Sequence, residues 1–264
     1  MFRVKPIPRS LNNMRSSSLD NISSIATHGF LSEEADAYRE RFRTTYANQL
    51  STCEEKSHAA TAQLFNADLS ALNLVVQQHV VIGLGLWLRC LRACQAALIL
   101  VERGMIPEAQ TQTRSAYEFL FYAAALISDP DVMSDMELGD SYARKEQAKA
   151  MLIEGQKAGM WSTEHIAILN EIVAEHGKGR KQLSAYDAAK KAGMEFLHAT
   201  VYRGMSFIGA HATAAATDSV FEVRGEKIVP VFGPSDTGLE FCVGLIDTCL
   251  TEGTARFSPL LPPA

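Results

Sequence analysis

The sequence predicts an all-α fold: a bundle of about seven to eight helices with one small β-hairpin near 220–232. Three observations lead there. Of the 264 residues, 47% are hydrophobic and 21% charged, enough apolar material for a core in an ordinary globular chain. The longest apolar runs, over 80–103, 106–127, 194–215 and 237–252, follow helical rather than strand periodicity, and these four should form the core. Only 220–232 breaks the pattern. There Val220–Val223 and Ile228–Phe232 flank Arg224-Gly225-Glu226-Lys227, a glycine-containing turn, and Pro230 restricts the second arm to an edge strand.

Residues 1–31 are expected to form a disordered arm, residues 32–253 a single helical domain and residues 254–264 a tail. Ser32 followed by Glu33 and Glu34 reads as a helix start, and a long polar helix should run from there to about Asn66. The next helix becomes strongly apolar at Val80 and stops at Gly104. Pro107 and Glu108 open a third, which Asp129-Pro130 closes. A fourth covers roughly 131–158, with Gly159 as its terminator, and a fifth starts after Ser162 or Thr163 and ends at Gly177. The loop 177–184 is basic, and a short helix from Ala185 to Lys191 meets Gly193. The helix from Met194 should reach about Ala216. Thr237 and Glu240, at capping-box spacing, begin the last helix, and Gly253 closes it.

The net charge of −5 removes any global basic excess that would drive non-specific binding to nucleic acid or an anionic membrane. Val80–Val101 is long enough to span a bilayer, yet Arg89, Arg92 and Gln95 interrupt it, so a buried core helix and no membrane are expected. No signal peptide is expected, because the first 30 residues lack a continuous apolar stretch. Cys53, Cys90, Cys94, Cys242 and Cys249 form no C-x-x-C, and four of them lie on apolar helix faces. Buried reduced thiols are the expectation, with a cytoplasmic location and no zinc. The P-loop, dinucleotide-binding, nucleophile-elbow and H-E-x-x-H motifs are all absent from the sequence.

Four groups of residues are candidates for chemistry. Glu118 is the only charge between Ser115 and Ile127, and Arg114 lies one turn before it. A carboxylate in so apolar a run needs a partner. Arg114, Arg89 and Arg92 are available, and Glu102 is another acid the latter two can pair. Arg89 and Arg92, at i, i+3, otherwise suit a carboxylate or phosphate. Glu195, His198, Tyr202 and Ser206 share one helical face. His211 is rotated about 140° from Ser206 in an unbroken α-helix, and a π-bulge eased by Gly209 would realign it. Finally, Glu55…His58 and Glu195…His198 repeat the Glu-x-x-His spacing of di-metal carboxylate bundles, with Glu118 as a further ligand.

These elements predict one connected hydrogen-bond network of Arg114, Glu118, Tyr202 and Ser206 facing a cleft. If the network is structural, Glu118→Ala should cost about 3–5 kcal/mol by stranding a buried arginine; if it is functional, Glu118→Gln should leave thermal stability nearly intact and abolish activity or binding.

Two segments carry a resemblance. Arg114 and Glu118 match an Arg-x-x-x-Glu, and Tyr202 and Ser206 match the start of a Tyr-x-x-x-Ser-x-x-x-His. Ala210 stands where that motif has histidine, and His211 follows it. Over roughly 75–252 the chain resembles a bacterial family of all-helical proteins known only as a domain of unknown function. Some relatives resemble HEPN-type ribonucleases, which use Arg-x(4–6)-His; here seven residues separate Arg203 from His211. The resemblance implies a metal-independent ribonuclease or RNA-directed defence or toxin factor, including phage defence. His211, Arg203, Tyr202 and Ser206 would be catalytic, and Arg114, Glu118, Arg89 and Arg92 would bind. It also implies a homodimer. No cofactor and no metal are expected. The alternative is a non-catalytic helical module for a protein or small ligand, and the third reading is the di-metal bundle.

Overall fold

The computed structural model describes residues 24–68, 77–175, 183–206 and 212–261. The fold is all-α with one small hairpin. α1 (Ser24–His28), α2 (Glu34–Thr45) and α3 (Ala47–Phe65) precede the central pair, α4 (Gln78–Glu102) and α5 (Ile106–Ser128). α6 (Val132–Ala158), α7 (Thr163–Glu175) and α8 (Ala185–Lys191) follow. After these come α9 (Glu195–Leu197), a π-helical turn (His198–Tyr202) and α10 (Arg203–Met205). A 3-10 turn (Ala214–Thr217), strands β1 (Phe221–Arg224) and β2 (Lys227–Pro230), and α11 (Leu239–Phe257) complete the order.

The core lies where α4, α5 and α11 meet. Trp87, Leu91, Tyr117, Leu120, Phe121, Ile246 and Leu250 are almost wholly removed from water there. α4 is also the one helix, among the described residues, long and apolar enough to cross a membrane, and half of its most apolar stretch is buried inside the bundle. α4 and α11 approach closely because residue 253 has no side chain. A Cβ on Gly253 would fall 2.1 Å from the Trp87 ring. Trp87 stacks on Phe257 at 5.3 Å between ring centres. Gly253 therefore does not close α11, as its residue type predicted. The helix runs through it, and Phe257, four residues on, is fully buried.

Local signals placed several boundaries. Pro107 sits in the first turn of α5, Gly159 takes the left-handed conformation at φ 63° to end α6, and the Ser184 side chain accepts a hydrogen bond from Asp187 N at the start of α8. In the hairpin, Phe221 pairs with Pro230 and Arg224 with Lys227 across Gly225.

Other boundaries differ from expectation. The polar helix expected over 32–66 is two helices divided at Tyr46, whose hydroxyl donates to Asp236 at 3.4 Å. Residues 24–31, expected to be part of the arm, form α1 and a 3-10 turn. Ser32 joins Ser24 by a 2.7 Å hydrogen bond, and α2 begins at Glu34. At α11 the residue before the helix is Gly238 at φ 82°, with no side-chain cap; Ser235 Oγ accepts from Thr237 N instead of a Thr237–Glu240 box. Over the described residues 195–206 the helix expected over 194–216 is a composite of α9, the π turn and α10, and the chain at 212–213 is not helical. The expectations for 177–182 and 207–211 fall outside the described residues.

Candidate functional site

α5 presents two polar edges. On the first, Arg114 reaches the segment after α8. Its Nε donates to Ser206 Oγ at 2.7 Å, Nη1 to Glu118 Oε2 at 3.1 Å and Nη2 to the Tyr202 hydroxyl. Tyr202 in turn donates to Glu118 Oε2 at 2.8 Å, and Ser206 Oγ donates to the Tyr202 carbonyl at 2.8 Å. The guanidinium also lies 4.4 Å from the centre of the Tyr202 ring. These four residues form the closed network that the sequence placed together, but none of them lines the cleft between α4 and α5.

The π turn accounts for the geometry on this edge. Widening the helix at His198–Tyr202 re-aims the side chains that follow it. His198 stacks on Tyr202 at 5.1 Å and touches Phe121 and Tyr186. Burial, then the nearby Arg203 charge, lowers the His198 pKa below the usual imidazole value. Burial and the hydrogen bond to Glu118 push the Tyr202 phenol well above its ordinary range, so it stays a neutral donor. Gly209, where the bulge was expected, lies outside the described residues.

The network is less buried than the apolar run around Glu118 implied. The Glu118 side chain keeps 38% of its surface and Arg114 keeps 20%. Water therefore shares both charges, and the 3–5 kcal/mol forecast for a stranded buried arginine does not apply.

The second edge of α5 faces α4. Arg89, Arg92, Ala93, Gln112, Ser115 and Phe119 line a cleft of about 320 Å³. Both arginines are exposed, and Arg89 lies 4.9 Å over the Phe119 ring. Neither pairs with Glu118 or Glu102. Glu118 takes Arg114, and Glu102 takes Arg39 and Arg43 from α2. Arg89 and Arg92 have no carboxylate partner among the described residues, and no acid lines the cleft. Gln112, Ser115 and Phe119 were missed by sequence reading. Their spacing along α5 is ordinary helix periodicity, and only the position of α4 makes it a cleft.

Other candidates stand apart. Arg203 and Glu195 are exposed, and His211 lies outside the described residues. Glu55 and His58 are exposed on α3 and do not converge with Glu195, His198 or Glu118. The di-metal arrangement is thus absent among the described residues. The one group of potential metal ligands there is Cys90, Cys94 and Cys249.

Residues 80–228 match a family described as of unknown function, DUF5677. That is more than half of the 264 residues. The chain belongs to this family. No curated protein and no solved structure matches it. The DUF5677 segment holds Arg89, Arg92, Arg114, Glu118, Tyr202 and Ser206, but neither α2 and α3 nor α11. Both polar edges of α5 therefore belong to the family region, whereas Cys249 does not.

Proposed function

We propose that the protein is a helical binding module that takes a phosphate-bearing ligand in the α4–α5 cleft. One observation carries this reading: Arg89 and Arg92 meet there without a carboxylate, beside a hydroxyl, an amide and an aromatic ring. Guanidinium forks suit phosphate oxygens, and stacking on Phe119 holds one of them in place. In a chain of net charge −5, two uncompensated arginines facing one cleft are a local inversion of the overall field. The Arg114–Glu118–Tyr202–Ser206 network braces α5 against the π turn next to it.

An RNA backbone and a free nucleotide present the same chemistry, and titration separates them. The probes are a short single-stranded oligoribonucleotide, a nucleoside monophosphate and inorganic phosphate. Arg89→Ala/Arg92→Ala should weaken binding about tenfold or more. If RNA is the ligand, the variant should also reduce the salt slope by about 1.4, two contacts at about 0.7 each. Binding of the nucleotide but not the oligomer assigns a small ligand. Cleavage of the RNA in chelator, lost on Arg203→Ala, would replace a binding role by the ribonuclease role that the resemblance implies. No binding of any probe, or equal binding by the double variant, overturns the proposal.

A further inference from the structure

Three of the five cysteines converge in the core, at a place the cleft does not use. Cys90 and Cys94 lie one turn apart on α4, and Cys249 faces them from α11. All three are 0% exposed. Their sulfurs lie within 4.8 Å of one another, and Cys90 Sγ is 3.6 Å from Cys249 Sγ. We propose that these three sulfurs form a trigonal site for a soft monovalent cation, copper(I).

The size fits. Three sulfurs each about 2.3 Å from a central ion in one plane lie about 4.0 Å apart. Closing onto an ion therefore needs only small side-chain adjustments. The frame is rigid, because Trp87 packed under Gly253 and stacked on Phe257 locks α4 to α11 around the triangle. The donor set selects the ion. Thiolates favour soft cations, and a structural zinc site wants four ligands. No fourth Cys, His, Asp or Glu joins the three among the described residues, and copper(I) is satisfied by three.

Loading is a ligand exchange with no redox step. One copper(I) and three thiols give a complex of two thiolates and one thiol, of charge −1, and release two protons to solvent. Proton competition makes affinity fall at acidic pH. Cys53 and Cys242 lie outside the triangle, with contacts of their own to the Val243 carbonyl and to Thr113 Oγ1. They serve as controls.

The experiment is an anaerobic competition between the full-length reduced protein and a chromophoric copper(I) chelator. Copper is supplied to the native protein and also during refolding, so that slow entry to a sealed core is not mistaken for an absent site. One copper(I) per chain is expected. Cys94→Ala or Cys249→Ala should weaken it about a hundredfold or more, and Cys53→Ala/Cys242→Ala should leave it unchanged. Should the site variants fail to fold, X-ray absorption of the loaded wild type decides, with three sulfur scatterers at one distance expected. Copper left wholly on the chelator, copper bound equally by Cys90→Ala/Cys94→Ala/Cys249→Ala, nitrogen or oxygen scatterers, or zinc(II) held in preference would each overturn the proposal. Copper left wholly on the chelator would leave the three thiols as apolar packing atoms.

Discussion

Glu102 and Glu118 both sit in apolar helices, yet they meet arginine in opposite ways. Glu102, the last residue of α4, keeps 6% of its side-chain surface and is clasped by Arg39, at 2.9 Å, and Arg43 of α2. A carboxylate at a helix C-terminus is opposed by the helix dipole, so the two guanidiniums offset an unfavourable placement as well as burial. Glu118, in the middle of α5, keeps 38% and draws Arg114 from its own helix and Tyr202 from the π turn. The first is a fastener that holds α2 to the bundle. The second is a half-wet polar edge in which Glu118 and Arg114 keep contact with solvent while Tyr202 is buried. Local hydrophobicity around the glutamate does not tell these apart; the helix that covers it does.

The sharpest way to break this comparison is to remove the arginines of the fastener. Arg39→Ala/Arg43→Ala leaves a buried carboxylate unpaired and should cost about 3–5 kcal/mol in denaturant unfolding. If the double variant costs less than Glu118→Ala, the contrast between the two sites is wrong.

Glu118→Ala should cost less, about 1–2 kcal/mol, because Arg114 keeps Tyr202, Ser206 and water. Glu118→Gln keeps an acceptor for the Tyr202 hydroxyl and should cost less again. Calorimetry of the two variants side by side reads the order. A loss for Glu118→Ala matching that of the Arg39/Arg43 variant would mean that the polar edge is sealed in solution.

The smallest expected effect concerns pH. The folded pKa of His198 lies below the unfolded value of about 6.5, so between them the unfolded chain binds more protons. Its contribution to stability is full above about 6.5 and is lost as the pH falls through the folded pKa. Urea midpoints should therefore drop between pH 7 and 5, and His198→Gln should flatten that drop. A wild-type midpoint that rises on acidification, and a variant that follows it, would contradict the assignment.

Much of the fold was legible because its signals are local. The apolar stripe of α11 through Cys242, Val243, Ile246, Cys249 and Leu250 is one face of one helix, and all five residues are buried. Gly159 and Pro107 act through their own backbone torsions and donors, wherever the helix sits. The pairing of Arg114 with Glu118 was legible for the same reason, since i, i+4 spacing makes them neighbours. Tyr202 and Ser206 could be joined to them only by asking where polar groups in apolar helices find partners.

By itself the sequence determined the helical class, the hairpin, three of the four helices it assigned to the core and the candidate polar residues, because these follow from periodicity and torsional preference along one chain. Beyond the Arg114–Glu118–Tyr202–Ser206 network, only the tertiary structure decided which residues of different helices meet. It sent Glu102 to α2 rather than to Arg89 or Arg92, opened a cleft between those arginines and Gln112, and brought Cys249 onto Cys90 and Cys94. It carried α11 through Gly253, because Trp87 fills the space a side chain would need. It also widened the helix at His198–Tyr202, where His198 meets Phe121 and Tyr202 meets Arg114. Such pairings depend on distances between segments far apart in the chain. Those distances are set by the packing of whole helices, which no local pattern encodes.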